Sequence, residues 1–160
     1  MALLHEAHFR AVENLVFDWA RAIDENRVEA IAELLLEDGR YTVQSRFNAD
    51  RGLPLALMDA HSAAQLRDRI KAMRLANIYE PQHYRHVVSG VQIIGGEPAA
   101  LQVRSNFLVV RTLDLDGDMR VIATGQCQDV VDATGDQPRF RSRRFLLDSR
   151  VVETLLVIPL

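Results

Sequence analysis

The sequence lacks most of what cross-linking, metal clusters, membranes and nucleic acids require. Its 160 residues include one cysteine, Cys127, so no disulfide can form within the chain and a reducing cytosol is the natural setting. Lysine is equally scarce. Lys71 is alone among nineteen Lys and Arg residues, so nearly all positive charge sits on planar guanidinium groups, which suit subunit contacts better than ammonium groups do. The net charge of −3, with no basic or acidic tail, argues against nucleic acid as a partner. No run approaches the ~18 apolar residues of a membrane span. His5, Glu6 and His8 stand where a secretory signal would need its apolar run. A cytoplasmic protein is expected.

What is present reads as an ordinary globular chain, 48% hydrophobic and 26% charged, long enough to bury one core and expected to form a single domain over residues 1–160. Phe9, Val12, Val16, Trp19 and Ile23 recur at helical spacing and predict an amphipathic first helix. Asp24-Glu25-Asn26 breaks it. Val28 to Leu36 reads as a second helix with Gly39 as its C-cap. Tyr41, Val43, Ser45 and Phe47 alternate with polar residues as a first strand. Residues 48–54 form a polar loop, and Ser62 caps a third helix that buries Leu66, Ile70 and Met73. From Tyr84 the pattern changes to strands: Tyr84–Ile94, Ala99–Leu113, Met119–Val131, Arg139–Asp148 and Arg150–Ile158. Gly95-Gly96, Asp116-Gly117 and the stretch Gly135 to Pro138 supply the turns. Helices followed by a mainly antiparallel sheet make an α+β fold.

A sheet covered by helices on one face should alternate apolar and polar residues. Val87-Val88, Leu108-Val109-Val110 and Leu155-Leu156-Val157-Ile158 put apolar side chains on both faces instead. Either the sheet curls enough to bury both sides, or a second subunit covers the outer one, which is the reading preferred here.

Tyr79-Glu80-Pro81 followed by Arg85-His86-Val87-Val88-Ser89 resembles the segment leading into the sheet of the small (β) subunits of Rieske-type aromatic-ring-hydroxylating dioxygenases. Ser105-Asn106-Phe107 through Arg111-Thr112, Gly125-Gln126-Cys127-Gln128-Asp129 and Arg143-Arg144-Phe145-Leu146-Leu147-Asp148 are similar to the strands that follow. The likeness covers most of the chain, is best from about Tyr79 onward, and leans toward enzymes of anthranilate or benzoate type. It implies an NTF2-like (cystatin-like, SnoaL-like) cone, with helices on a strongly curved sheet. It also implies a non-catalytic subunit that trimerises and joins an α subunit in an α3β3 assembly. In that family the α subunit carries the Rieske [2Fe–2S] cluster and a mononuclear iron, and NADH supplies electrons through a reductase.

The residues themselves agree that this chain holds no iron. A Rieske cluster takes two cysteines and two histidines, which Cys127 alone cannot supply. His83 and His86 lie at the mouth of a strand, where odd spacing points them to opposite faces, unlike the facial set a mononuclear iron needs. Asp114, Asp116 and Asp118 lack the spacing of a calcium loop and read as a hairpin turn. Asp59 and Ser62 read as a helix start. Cys127 reads as a buried apolar residue unless Arg143 or Arg144 activates it.

The alternative is a stand-alone isomerase, dehydratase or small-molecule-binding protein that uses the cone's own pocket. Its acid, base or phenol would come from Tyr41, His86 and Asp129. Their ordinary readings are a strand aromatic, an interface hydrogen-bonder and an arginine partner. For assembly, period-two alternation puts Arg139, Arg141 and Arg143 on one side of their strand, a charged row for a subunit interface.

Overall fold

The computed structural model describes residues 2–76, 80–152 and 158–160. Helix α1 (Ala2–Asp24) is the long amphipathic element expected, with Val12, Leu15, Val16, Trp19 and Ile23 buried along one stripe. A six-stranded sheet wraps it: β1 (Leu35–Ser45), β2 (Met58–Ala60), β3 (Gln82–Gly95), β4 (Leu101–Leu113), β5 (Met119–Asp132) and β6 (Arg139–Leu147). The strands lie in the order β2-β1-β6-β5-β4-β3. Neighbours run antiparallel except β1 and β6, which are parallel. Helix α3 (Ala63–Ala76) closes the same side, burying Leu66, Ile70 and Met73. Ser62 caps its start: the Gln65 amide donates to Ser62 Oγ at 3.2 Å, and Gln65 Oε1 accepts from the amide of His61, one residue before the cap, at 2.7 Å. Asp59 takes no part in it. It lies in β2 and accepts from Arg40 instead.

Several element boundaries differ from those expected. Val28–Leu34 is a 3-10 helix that runs straight into β1, so Gly39 caps nothing. It lies where the β1–β6 register shifts, and a Cβ there would stand 2.8 Å from the Leu36 carbonyl oxygen and 3.0 Å from that of Phe140. Only glycine permits that approach. The first strand ends at Ser45, whose side chain accepts from the Asn48 amide and opens a short helix, α2 (Arg46–Asp50). Phe47 is therefore helical. The expected last strand, Arg150–Ile158, falls mostly outside the described residues, and Arg150, Val151 and Val152 are not in a strand.

On β4 and β5 the alternation separates two faces. Leu101, Val103, Phe107, Val109, Cys127 and Val131 are buried against the helices. Gln102, Arg104, Asn106 and Gln128 point the other way and are exposed. At the β1–β6 end, α2 and the loop after it cover that second face, which buries Thr42, Gln44 and Leu146.

Candidate functional site

The inner face of the sheet brings two of the three expected pocket residues together. Tyr41 of β1 pairs with Arg143 of β6, which pairs with Asp129 of β5. Arg143 Nη1 lies 2.9 Å from Asp129 Oδ2, with 2% and 0% of the two side chains exposed. The guanidinium sits over three rings, 5.0 Å from Trp19, 4.5 Å from Phe140 and 4.9 Å from Phe145. Burial raises the Asp129 pKa to about 6, against the pull of the Arg143 charge.

This interior is filled by the chain itself. Trp19 Nε1 donates to the Leu160 carbonyl oxygen at 2.7 Å, and the Leu160 amide donates to the Tyr41 hydroxyl at 3.0 Å. Leu160 is fully buried, and burial pushes the Tyr41 phenol well above its usual range. The phenol is thus engaged with backbone. Cys127 does have a cation beside it, Arg143 Nη2 at 4.0 Å. Desolvation nevertheless outweighs that charge and pushes the thiol up to about 12.

His86, the third expected pocket residue, is elsewhere. It pairs with Val109, whereas Asp129 pairs with Val103, six residues along the same strand. Its ring packs against the end of α1, where Nδ1 lies 2.6 Å from Asp24 Oδ1 and the His86 amide donates to the same carboxylate. Asp24 is not legible as its partner in the sequence, where Asp24-Glu25-Asn26 reads as a helix break. His83 points away, largely exposed, with Nε2 2.7 Å from Asp114. Among the described residues no group of three or more His, Cys, Asp or Glu side chains could hold a metal ion.

The expected arginine row is broken. Val130 pairs with Ser142 and Val131 with Phe140, so β6 carries one extra residue, Arg141, at a bulge. The phase of the strand flips there. Arg139 and Arg141 are exposed, with Arg141 bonded to Asp132 at 2.9 Å, while Arg143 turns into the cone.

Among the described residues no helix covers the outer face of β3, β4 and β5. One end is apolar: Val87 pairs with Leu108, and Val110 with Val121. Val87 is 54%, Val121 57% and Met119 68% exposed. The other end is a groove of about 830 Å³ floored by arginine and glutamine side chains.

Helices packed in a curved sheet of this order define the α+β cone of the NTF2-like class. The chain belongs to the ring-hydroxylating β-subunit family, whose profile, described as "Ring hydroxylating beta subunit", matches residues 19–154. It is 36% identical to the anthranilate 1,2-dioxygenase small subunit of Burkholderia cepacia over 138 residues, 86% of this chain and 85% of that one. A Novosphingobium aromaticivorans structure, described as the β subunit of an aromatic-ring-hydroxylating dioxygenase, superposes with a TM-score of 0.88. It has 30% identity and covers 97% of this chain and 98% of that one. A protein of the same organism described as a scytalone dehydratase shares the fold at a TM-score of 0.71, with 19% identity over 94% of this chain and 93% of its own.

Proposed function

We propose that this chain is a non-catalytic structural subunit which, as one folded domain, forms a trimer and supports an iron-containing large subunit in an α3β3 ring-hydroxylating dioxygenase. The observation that carries this is the bare outer face of β3–β5, where Val87, Met119 and Val121 stand in water. Side chains of that kind, gathered on one face, are what a subunit contact covers. Arg139 and Arg141, both exposed, are assigned to the rim of such contacts. Arg143 is not, since its own subunit already buries it.

The reaction is assigned to the large subunit, which would hold the Rieske [2Fe–2S] cluster and the mononuclear iron and receive electrons from NADH through a reductase. An aromatic carboxylate of anthranilate or benzoate type is the proposed substrate, on the strength of the anthranilate-oxidising relative. The proposed compartment is the cytoplasm. No helix among the described residues is long and apolar enough to cross a membrane. Co-expression with the large subunit, followed by light scattering on the co-purified complex, tests the proposal. A complex with three copies of each chain is the expected result. A chain that stays a monodisperse monomer at micromolar concentration, alone and with the large subunit, would overturn it.

A further inference from the structure

The groove at the polar end of the outer face is built from five strands. One register row crosses it: Thr42 of β1, Arg144 of β6, Gln128 of β5, Arg104 of β4 and Gln92 of β3. Side chains at paired positions point to the same face, so Arg144 and Arg104 stand on either side of Gln128. The loop after α2 forms one wall with Leu53 and Pro54, and Ile94 of β3 lines the groove as well. The loop is pinned. Gln44 Nε2 donates to the Leu53 carbonyl at 2.6 Å, and Asn48 Nδ2 to that of Leu55 at 3.1 Å.

Charge in the groove is unbalanced. Arg40 has a carboxylate, holding Asp59 through two bonds of 3.0 and 2.7 Å. Among the described residues Arg144 and Arg104 have none. Arg144 Nη2 donates to Gln44 Oε1 at 2.7 Å, and Arg104 donates through Nε and Nη2 to Gln92 Oε1 at 3.0 and 2.8 Å. An amide oxygen satisfies a donor without cancelling the charge. Among the described residues the one acid lining the groove is Asp129, and it gives its carboxylate to Arg143 on the inner face. Each guanidinium offers five N–H donors, so both keep donors for an incoming anion.

We propose that this groove binds a small organic carboxylate with a flat apolar body. Arg104 and Arg144 take the carboxylate over Gln128, and the body lies against Leu53, Pro54 and Ile94. Forked guanidinium groups suit a carboxylate, and the volume of about 830 Å³ falls within the range of small-molecule sites. An inorganic anion would leave the apolar walls unused.

Isothermal titration of the purified chain with benzoate tests the site, with benzamide as the neutral isostere and inorganic phosphate as a competing anion. Saturable benzoate binding is expected, with benzamide and phosphate weaker by about tenfold or more. Arg144→Gln and Arg104→Gln should each lower benzoate affinity roughly tenfold, the loss of one charge-assisted hydrogen bond. Arg144→Lys should restore part of it, and circular dichroism should show every variant folded. Absence of saturable benzoate binding would overturn the proposal, and so would binding that neither substitution moves, or phosphate binding as tight as benzoate. Loss of large-subunit association in either glutamine variant, without benzoate binding in the parent, would reassign the groove to a protein contact. Light scattering on the titrated sample reports its oligomeric state, so a failure of binding and a failure of assembly are read separately.

Discussion

Asp129 and Arg143 meet at 2.9 Å inside the cone, on the row that also carries Tyr41. In a catalytic cone, an acid with a pKa near 6 beside a phenol would be a proton-transfer pair. Here the phenol is bonded to Leu160 and the rings of Trp19, Phe140 and Phe145 surround the guanidinium. The pair is buried and enclosed by its own chain, and its consequences are read in stability.

Asp129 titrates at about 6 in the folded chain, above its ordinary 3.8, because burial disfavours its charge. A carboxyl raised in this way binds more protons folded than unfolded. Its contribution to stability is full below the unfolded pKa and is lost as pH rises through the folded one. Glu29, Glu37, Asp59 and Asp132, whose pKa values are lowered, act in the opposite sense. They are common to parent and variant and cancel in the difference. Between pH 4 and 6.5 the Tm of the parent should therefore fall relative to that of Asp129→Asn. Parallel melting curves across that window would show that Asp129 stays ionised throughout. Arg143→Met should cost about 3–5 kcal/mol near neutral pH, since it leaves a buried carboxylate without its partner.

Tyr41→Phe should destabilise the chain by about 1–3 kcal/mol, because the Leu160 amide would lose its buried acceptor. Chemical denaturation measures this directly. Ketone isomerisation and dehydration assays on both proteins should show no saturable turnover. Turnover in the parent that Tyr41→Phe abolishes would reopen the catalytic reading.

How far the sequence could be read follows from how local each feature is. The two long helices, α1 and α3, announce themselves because every turn repeats the same apolar stripe. Gly39 misleads because a glycine at a helix end and one at a strand bulge look alike until the Phe140 carbonyl is in view. Helix α2 is five residues long, too short to show a period. Alternation puts Arg143 with Arg139 and Arg141, and it holds until a bulge that only pairing with β5 reveals. Residue type alone offers Tyr41, His86 and Asp129 equally, and only the register of the strands shows that Tyr41 and Asp129 share a row while His86 lies elsewhere. The outer groove went unseen. Its row draws one residue from each of five strands, and its local traces are short polar alternations, Gln102 and Arg104 on β4 and Gln126 and Gln128 on β5, which any solvated strand face would show.

Asp24 carries more than its His86 contact suggests. Its carboxylate accepts from the His86 amide at 3.0 and 3.1 Å and lies 2.6 Å from the ring nitrogen, so it fastens the end of α1 to β3. Asp24→Ala would leave that amide and ring without their partner, and a loss of about 2–4 kcal/mol is expected from two buried bonds. Amide hydrogen exchange at His86 and Val88 should accelerate well before that of β6, because the opening is local. Uniform acceleration across the sheet would mean that Asp24 acts on global stability alone.

The bare face of β3–β5 separates assembly from folding. Val121 is 57% exposed and Val87 54%, so Val87→Asp and Val121→Asp remove little that the isolated chain buries. Each should change its unfolding free energy by no more than about 0.5 kcal/mol, as surface substitutions usually do. Within an assembly the same carboxylates would be taken out of water against apolar neighbours, a cost of several kcal/mol for an unpaired charge. At concentrations too low for association each variant should therefore melt with the parent, yet at higher concentration it should fail to co-purify with the large subunit or to trimerise. Pull-down and light scattering at matched concentrations measure this. If both variants assemble like the parent, the apolar end of the face is not a subunit contact.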